Sequence, residues 1–183
     1  MRYTIITPTL GRESLVRTCE SVDRQTTDDW QHIVVVDKKT DPEILVQIYR
    51  SHRLIIHCGL PHGNFGNTCR HNAWEFAEGE YLLYLDDDNW LSDDHVLEDL
   101  NVVVTPWALF PILRHGNRFF TDPPKCCHVD TANVVVSRDI GRWPDIPDYT
   151  ADGQFVESLL KYPYQAFPDF RTIVVMPHSS EGR

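Results

Sequence analysis

YLLYLDDDNW, residues 81 to 90, begins as a strand and ends as a problem of charge. Leu82 to Leu85, with tyrosines on either side of the leucine pair, is an apolar run of strand length. The carboxylates Asp86, Asp87 and Asp88 follow it directly. Adjacent carboxylates repel, so a core strand that ends in them needs something to offset the repulsion. In an extended chain Asp86 and Asp88 point to one side and Asp87 to the other. Two same-side carboxylates are hard oxygen ligands suited to Mg2+ or Mn2+. The same residues also suit a solvated acidic turn leading to a helix capped by Ser92. This stretch alone leaves both readings open.

Outward from it, strand and helix alternate. Tyr3 to Thr7 reads as a buried strand, and Gly11 to Gln25 as a helix whose apolar face is Leu15, Val16, Cys19 and Val22. His32 to Val36 is a β-branched strand. Asp41-Pro42 opens the next helix with a cap and a proline, and Ile44, Leu45 and Ile48 give it a buried face. Leu54 to His57 is a third strand, Asn67 to Glu78 a helix, and Glu80 to Leu85 the fourth strand. Near-continuous apolar strands separated by helices predict a parallel sheet covered on both faces. The second half is less regular. Trp107 to Leu113, Arg118 to Thr121, Asn133 to Ser137 and Arg171 to Val175 read as strands, with a turn at His115-Gly116-Asn117. Asp152 to Lys161 reads as a helix with Phe155, Val156, Leu159 and Leu160 buried.

Bulk properties narrow the classes. The chain has 183 residues, a length that predicts one domain. A net charge of −10 argues against nucleic acid as a partner. No segment has the apolar length of a transmembrane helix, and the apolar start of MRYTIITPTL is short for a signal peptide and interrupted by Pro8. The five cysteines include no CxxC pair, so a cytoplasmic setting is expected rather than a disulfide framework or a zinc site.

In an open α/β sheet, ligands bind beyond the carboxyl ends of the strands. There the sequence places Pro8, Thr9 and Gly11-Arg12 after strand one, and Asp37, Lys38 and Lys39 after strand two. The glycine-rich loop GLPHGNFGN, residues 59 to 67, follows strand three, and Asp86 to Asp88 follow strand four. Carboxylates, lysines and a loop with three glycines on one edge suit a phosphate-bearing ligand with a metal. From periodicity alone, Asp152 is a candidate N-cap of the helix that it precedes.

Four segments carry a family resemblance: ITPTLGRESLVRTCESVDRQTTDDWQHIVVVDKKTD (6 to 41), GNTCRHNAWEFAEGEYLLYLDDDNW (66 to 90), HVDTANVVVSR (128 to 138) and ADGQFVESL (151 to 159). In this order they resemble glycosyltransferase family 2, the inverting GT-A type. The resemblance implies a Rossmann-like αβα sandwich with a mostly parallel central sheet. It implies a nucleotide-binding half, about residues 1–100, and an acceptor half, about 101–183. The implied reaction moves a sugar from a nucleoside-diphosphate sugar, a UDP-sugar first, to a hydroxyl of a glycan, lipid-linked or small-molecule acceptor. It uses Mn2+ or Mg2+, and a homo-oligomer is compatible with it.

Carried over by position, Pro8, Thr9, Arg12, Asp37, Arg70, Asp86 and Asp87 would contact the donor nucleotide. Asp88, with Asp86 and a C-terminal histidine, His178, would hold the metal. Asp152 would be the general base, and Trp90 and Asp130 would meet the acceptor. The chain departs from the family pattern at Leu10, where an aromatic is usual, at Lys38-Lys39, at His71 and at Ala151. A nucleotidyltransferase on the same sheet and a non-catalytic sugar-nucleotide-binding module are the alternatives. The first usually has a glycine-rich, basic signature after strand one, where this chain has Thr7-Pro8-Thr9-Leu10.

Overall fold

The computed structural model describes residues 1–38, 40–59, 62–126 and 128–177. The chain runs β1 (Tyr3–Thr9), α1 (Ser14–Asp23), β2 (Trp30–Val36), α2 (Pro42–Ile48), β3 (Arg53–His57), α3 (Asn67–Ala73) and β4 (Tyr81–Tyr84). It continues as β5 (Trp90–Leu91), α4 (Val96–Asp99), β6 (Trp107–Leu109), β7 (Ile112–Arg114), β8 (Asn117–Phe119) and β9 (Val134–Ser137). α5 (Ala151–Leu159), β10 (Tyr164–Ala166) and β11 (Val174–Met176) complete it.

The main sheet has seven strands in the order β10-β6-β9-β4-β1-β2-β3. β9 alone runs against its neighbours, so the sheet is mostly parallel, as expected. Alternation along the strands sorts the core onto two faces. Val34 and Val36 pack with Leu15 and Cys19 of α1 and Ile48 of α2. Ile33 and Val35 point the other way, toward Cys69 and Ala73 of α3 and the cluster that holds Phe155 of α5. A smaller sheet, β5-β11-β7-β8, adjoins the main one. No helix among the described residues is long and apolar enough to cross a membrane.

Asp41 caps α2 as expected, accepting from the Glu43 amide at 2.9 Å. Several other expectations fail for local reasons. The run from Trp107 to Leu113 is not one strand but β6 and β7, which belong to different sheets. Pro111 has no amide hydrogen for a ladder, and the chain changes sheets there. Ser92 caps no helix. Its hydroxyl donates to the Thr172 carbonyl at 2.5 Å, beside the pairing of β5 with β11. The helix that follows begins only at Val96. The helix after Gly66 is α-helical only to Ala73, then tightens into a 3-10 turn over Trp74–Phe76. The last strand lies at Val174–Met176 rather than at 171 to 175, and Leu160 is exposed just past the end of α5. β10 gave no signal, being a three-residue edge strand that follows Pro163.

One charge is buried beneath β2 and β3. Arg53 donates from Nε to His32 Nδ1 at 3.0 Å and from Nη2 to Asp23 Oδ1 at 2.5 Å. His32 is fully buried and held neutral, since burial first and Arg53 second push its pKa well down. With Nδ1 accepting, Nε2 carries the proton and donates to the Thr7 hydroxyl at 3.0 Å. Removing one partner leaves a buried charge uncompensated. Asp23→Ala should therefore lower unfolding stability in urea by about 3 kcal/mol. Asp23→Leu combined with Arg53→Met should recover part of that loss.

Candidate active site

The carboxyl ends of β1, β2 and β4 meet at the edge where the three adjacent aspartates emerge. Their charge is divided between two arginines. Asp86 pairs with Arg70, which α3 presents to it. Asp88 Oδ2 accepts from Arg12 Nη1 at 3.0 Å, and the same nitrogen donates to Asp87 Oδ1 at 3.2 Å.

Asp87 lies in a turn past the end of β4, closed by the Asn89 amide on the Asp86 carbonyl at 3.0 Å, so the strand alternation expected from the sequence does not extend to it. It is 5% exposed and serves the loop after β1. Its Oδ2 accepts from the Thr9 hydroxyl at 2.6 Å and from the Leu10 amide at 3.3 Å. Burial pushes its pKa up to about 6, against the lowering effect of Thr9 and Arg12. The Thr9 hydroxyl also accepts from the Gly11 amide at 2.8 Å, closing the turn. Gly11 is required there: its φ is +78°, and a Cβ would lie 2.4 Å from the Thr40 hydroxyl. Asp37 anchors a second loop, accepting from the His62 amide at 2.9 Å and the Gly63 amide at 3.3 Å. That loop ends at Gly66, whose φ is +77° and where a Cβ would sit 2.9 Å from Pro8 Cβ. Pro8, Thr9, Arg12 and Asp37 thus frame one side of the aspartates.

On the other side lies a cavity of about 240 Å³. Asp86, Asp88, Asp130 and Asp152 all line it, with Arg70 and Arg114 as the cations. Asp130 comes from the turn before β9, where it accepts from the Ala132 amide at 3.0 Å. Its own amide donates to Asn133 Oδ1 at 3.0 Å, completing a capping box. Burial, then the Asp86 charge, pushes the Asp130 pKa up to about 6. Asp152 lies in the first turn of α5, but Thr150, not Asp152, occupies the cap position. Burial raises the Asp152 pKa, opposed by the Gly153 amide and Arg70 and aided by Asp86. Asp88 is also raised, by burial and then by Asp86.

The donor set suits a hard divalent cation. Four carboxylates against two guanidiniums leave the cavity short of positive charge. Asp86 and Asp88 would hold the ion. Among the described residues they form no tight cluster with a third His, Cys, Asp or Glu ligand. A site with two carboxylates usually fills its other positions with water and phosphate oxygens when the ion is Mg2+. His178, and Lys39 of the loop after β2, lie outside the described residues.

Trp90 is not at the cavity. Arg17 of α1 covers its ring, with Cζ 3.2 Å from the centroid. Arg114, Asn67, Trp143 and the exposed Phe65 and Tyr149 line the cavity without having been singled out from sequence. Arg114 closes a short hairpin strand just before His115-Gly116, and that turn was the available signal.

The chain matches the family "Glycosyl transferase family 2" over residues 4–118. It is 31% identical over 108 residues to a poly(ribitol-phosphate) beta-glucosyltransferase of Bacillus spizizenii, a match covering 55% of this chain and 17% of that protein. Among solved structures, TarS 1-349 from S. aureus in complex with UDP superposes with a TM-score of 0.80 at 17% identity. All of this chain and 62% of that one are covered. A Pyrobaculum calidifontis mannosyltransferase, PcManGT, in complex with GDP-Man and Mn2+ gives a TM-score of 0.70 at 16% identity, covering 99% of this chain and 58% of that one. The chain thus spans less than two thirds of the length of these relatives. Identity this low is a likeness of fold, and the fold is the GT-A arrangement expected from the motifs.

Asp130 offers a test of the cavity's electrostatics. Its folded pKa lies above the value of about 3.9 for an unfolded aspartate. The folded state therefore binds the extra proton between those values. Asp130's contribution to stability is full below about pH 4 and lost as pH rises through about 6. Asp130→Asn, which keeps a capping oxygen, should flatten this part of the melting temperature profile measured between those pH values.

Proposed function

The chain belongs to glycosyl transferase family 2, and on that premise we propose that it carries a catalytic domain for metal-dependent, inverting transfer of a sugar from a UDP-sugar to an acceptor hydroxyl. The observation that carries this reading is the pairing of Asp86 and Asp88 with Asp152 on one cavity at the ligand edge of the sheet. Glycoside hydrolysis, by contrast, needs two carboxylates flanking a single bond, not a cluster on a nucleotide-type edge. The beta-glucosyltransferase and the UDP complex among the relatives support the donor class, and the Mn2+ complex supports a metal.

In this reading residues 1–100 bind the donor. Pro8, Thr9 and Arg12 line the nucleotide pocket, and Asp37 faces the base. Arg70 lies beside Asp86, where it meets the diphosphate as donor oxygens and the ion enter. Asp87 acts on the nucleotide by shaping the loop from Thr9 to Arg12. A bound Mn2+ or Mg2+ on Asp88 and Asp86 would offset the charge developing on the departing diphosphate.

Residues 101–183 complete the acceptor side, where Asp130 borders the cavity. Asp152 takes the proton from the attacking hydroxyl, and burial helps by raising its proton affinity. Attack from the face opposite the leaving group inverts the anomeric centre. The framework otherwise holds donor and acceptor in line.

The test is turnover of a UDP-sugar panel, to acceptor or to water, with Mn2+ present. Asp152→Asn should lower transfer by about 100-fold or more while UDP affinity holds. Full transfer activity in that variant would remove Asp152 as base. No turnover of any donor despite tight UDP binding would favour the non-catalytic module.

A further inference from the structure

Two aromatic side chains stand at the mouth of the cavity with no core to bury them. Phe65 is 60% exposed and Tyr149 is 77% exposed. Their rings meet edge to face with centroids 5.3 Å apart, and both line the cavity. Phe65 has a φ of +59°, a conformation that bulky residues rarely adopt.

The surrounding structure holds both residues in place. Arg70 Nη1 donates to the Phe65 carbonyl at 2.8 Å. Asn67 Nδ2 donates to the carbonyls of Ile146 at 2.8 Å and Asp148 at 3.0 Å. The Thr68 hydroxyl donates to Asp145 at 2.6 Å. The loop that carries Phe65 is thus stapled to the segment that carries Tyr149. Exposed aromatics on a fixed frame are a recognition surface rather than stray apolar residues.

We propose that Phe65 and Tyr149 form the acceptor platform, and that the group seated on it is a neutral pyranosyl ring. The proposal rests on the transferase reading above. Tyr149 and Asp152 line the same cavity, so a ring seated on the platform shares that cavity with the proposed base. The base-facing Asp37 holds the opposite end of the Phe65 loop, at His62 and Gly63, which leaves this end for the acceptor. A pyranose presents a flat C–H face to aromatic rings and keeps its hydroxyls for the polar cavity. With Asp86 and Asp88 given to the ion, Asp130 and Asp152 are the carboxylates left on the acceptor side, and they disfavour an anionic acceptor.

The experiment is saturation-transfer NMR on the protein loaded with UDP and Mg2+. The probes are methyl β-D-glucopyranoside, methyl N-acetyl-β-D-glucosaminide and ribitol 5-phosphate. Saturation should reach the ring C–H protons of at least one glycoside more strongly than the ribitol phosphate. It should fall about fivefold or more in Phe65→Ala and in Tyr149→Ala, and persist in Phe65→Tyr and Tyr149→Phe. UDP affinity, measured by calorimetry, should hold in all four variants. Glycoside signals that are absent, insensitive to both alanine variants, or weaker than those of ribitol phosphate overturn the platform while UDP binding stands. Loss of UDP affinity in the alanine variants assigns the pair to the donor and overturns it too. Failure of the unsubstituted protein to bind UDP overturns the transferase reading beneath it.

Discussion

Repulsion among Asp86, Asp87 and Asp88 is the constraint around which the ligand edge is built. The three carboxylates are held from two separate parts of the chain. Arg70 reaches Asp86 from α3, while Arg12 and the Thr9 hydroxyl hold Asp87 from the loop after β1. Asp88 shares Arg12. Offsetting the charge therefore also fixes the two loops that frame the site. Arg70 extends the frame further: it holds the Phe65 carbonyl, and its guanidinium lies 5.0 Å over the Trp143 ring. Trp143 in turn donates to Asn67 at 3.0 Å, and Asn67 ties down the segment before α5. A preorganised frame of this kind costs little reorganisation when charge develops in a reaction.

The two arginines leave the charge incompletely offset. Asp88, Asp130 and Asp152 are all shifted toward holding protons, each by burial first and with Asp86 adding to the shift. These carboxylates pay for their position at the cavity in proton affinity. A divalent cation on Asp86 and Asp88 would relieve that strain, and a raised proton affinity at Asp152 is useful in a base.

The first half of the fold was legible because its strands are apolar runs with amphipathic helices between them, one of them opened by the Asp41 cap. Asp86 and Asp88 do share the cavity, but through the turn that follows β4 rather than through strand alternation, because the strand ends at Tyr84. The second half was not legible in the same way. Phe110-Pro111 carries the chain from one sheet to the other inside a single apolar run, and β10 is too short to show a period. At the site, the contacts that decide roles join distant residues. Arg12 and Asp87 are 75 positions apart, and Thr68 and Asp145 are 77 apart. No local pattern encodes such pairs. Phe65, Tyr149 and Arg114 went unnoticed because an aromatic or an arginine in a turn has many ordinary uses. Trp90 was expected at the acceptor, yet Arg17 covers its ring and it does not line the cavity.

Calorimetric titration of UDP into the protein, with and without Mn2+, tests the central claim most directly when repeated on Asp88→Ala. The account predicts that Mn2+ strengthens UDP binding to the unsubstituted protein and that Asp88→Ala abolishes this gain. UDP binding that is tight without metal and unchanged by Asp88→Ala would contradict it.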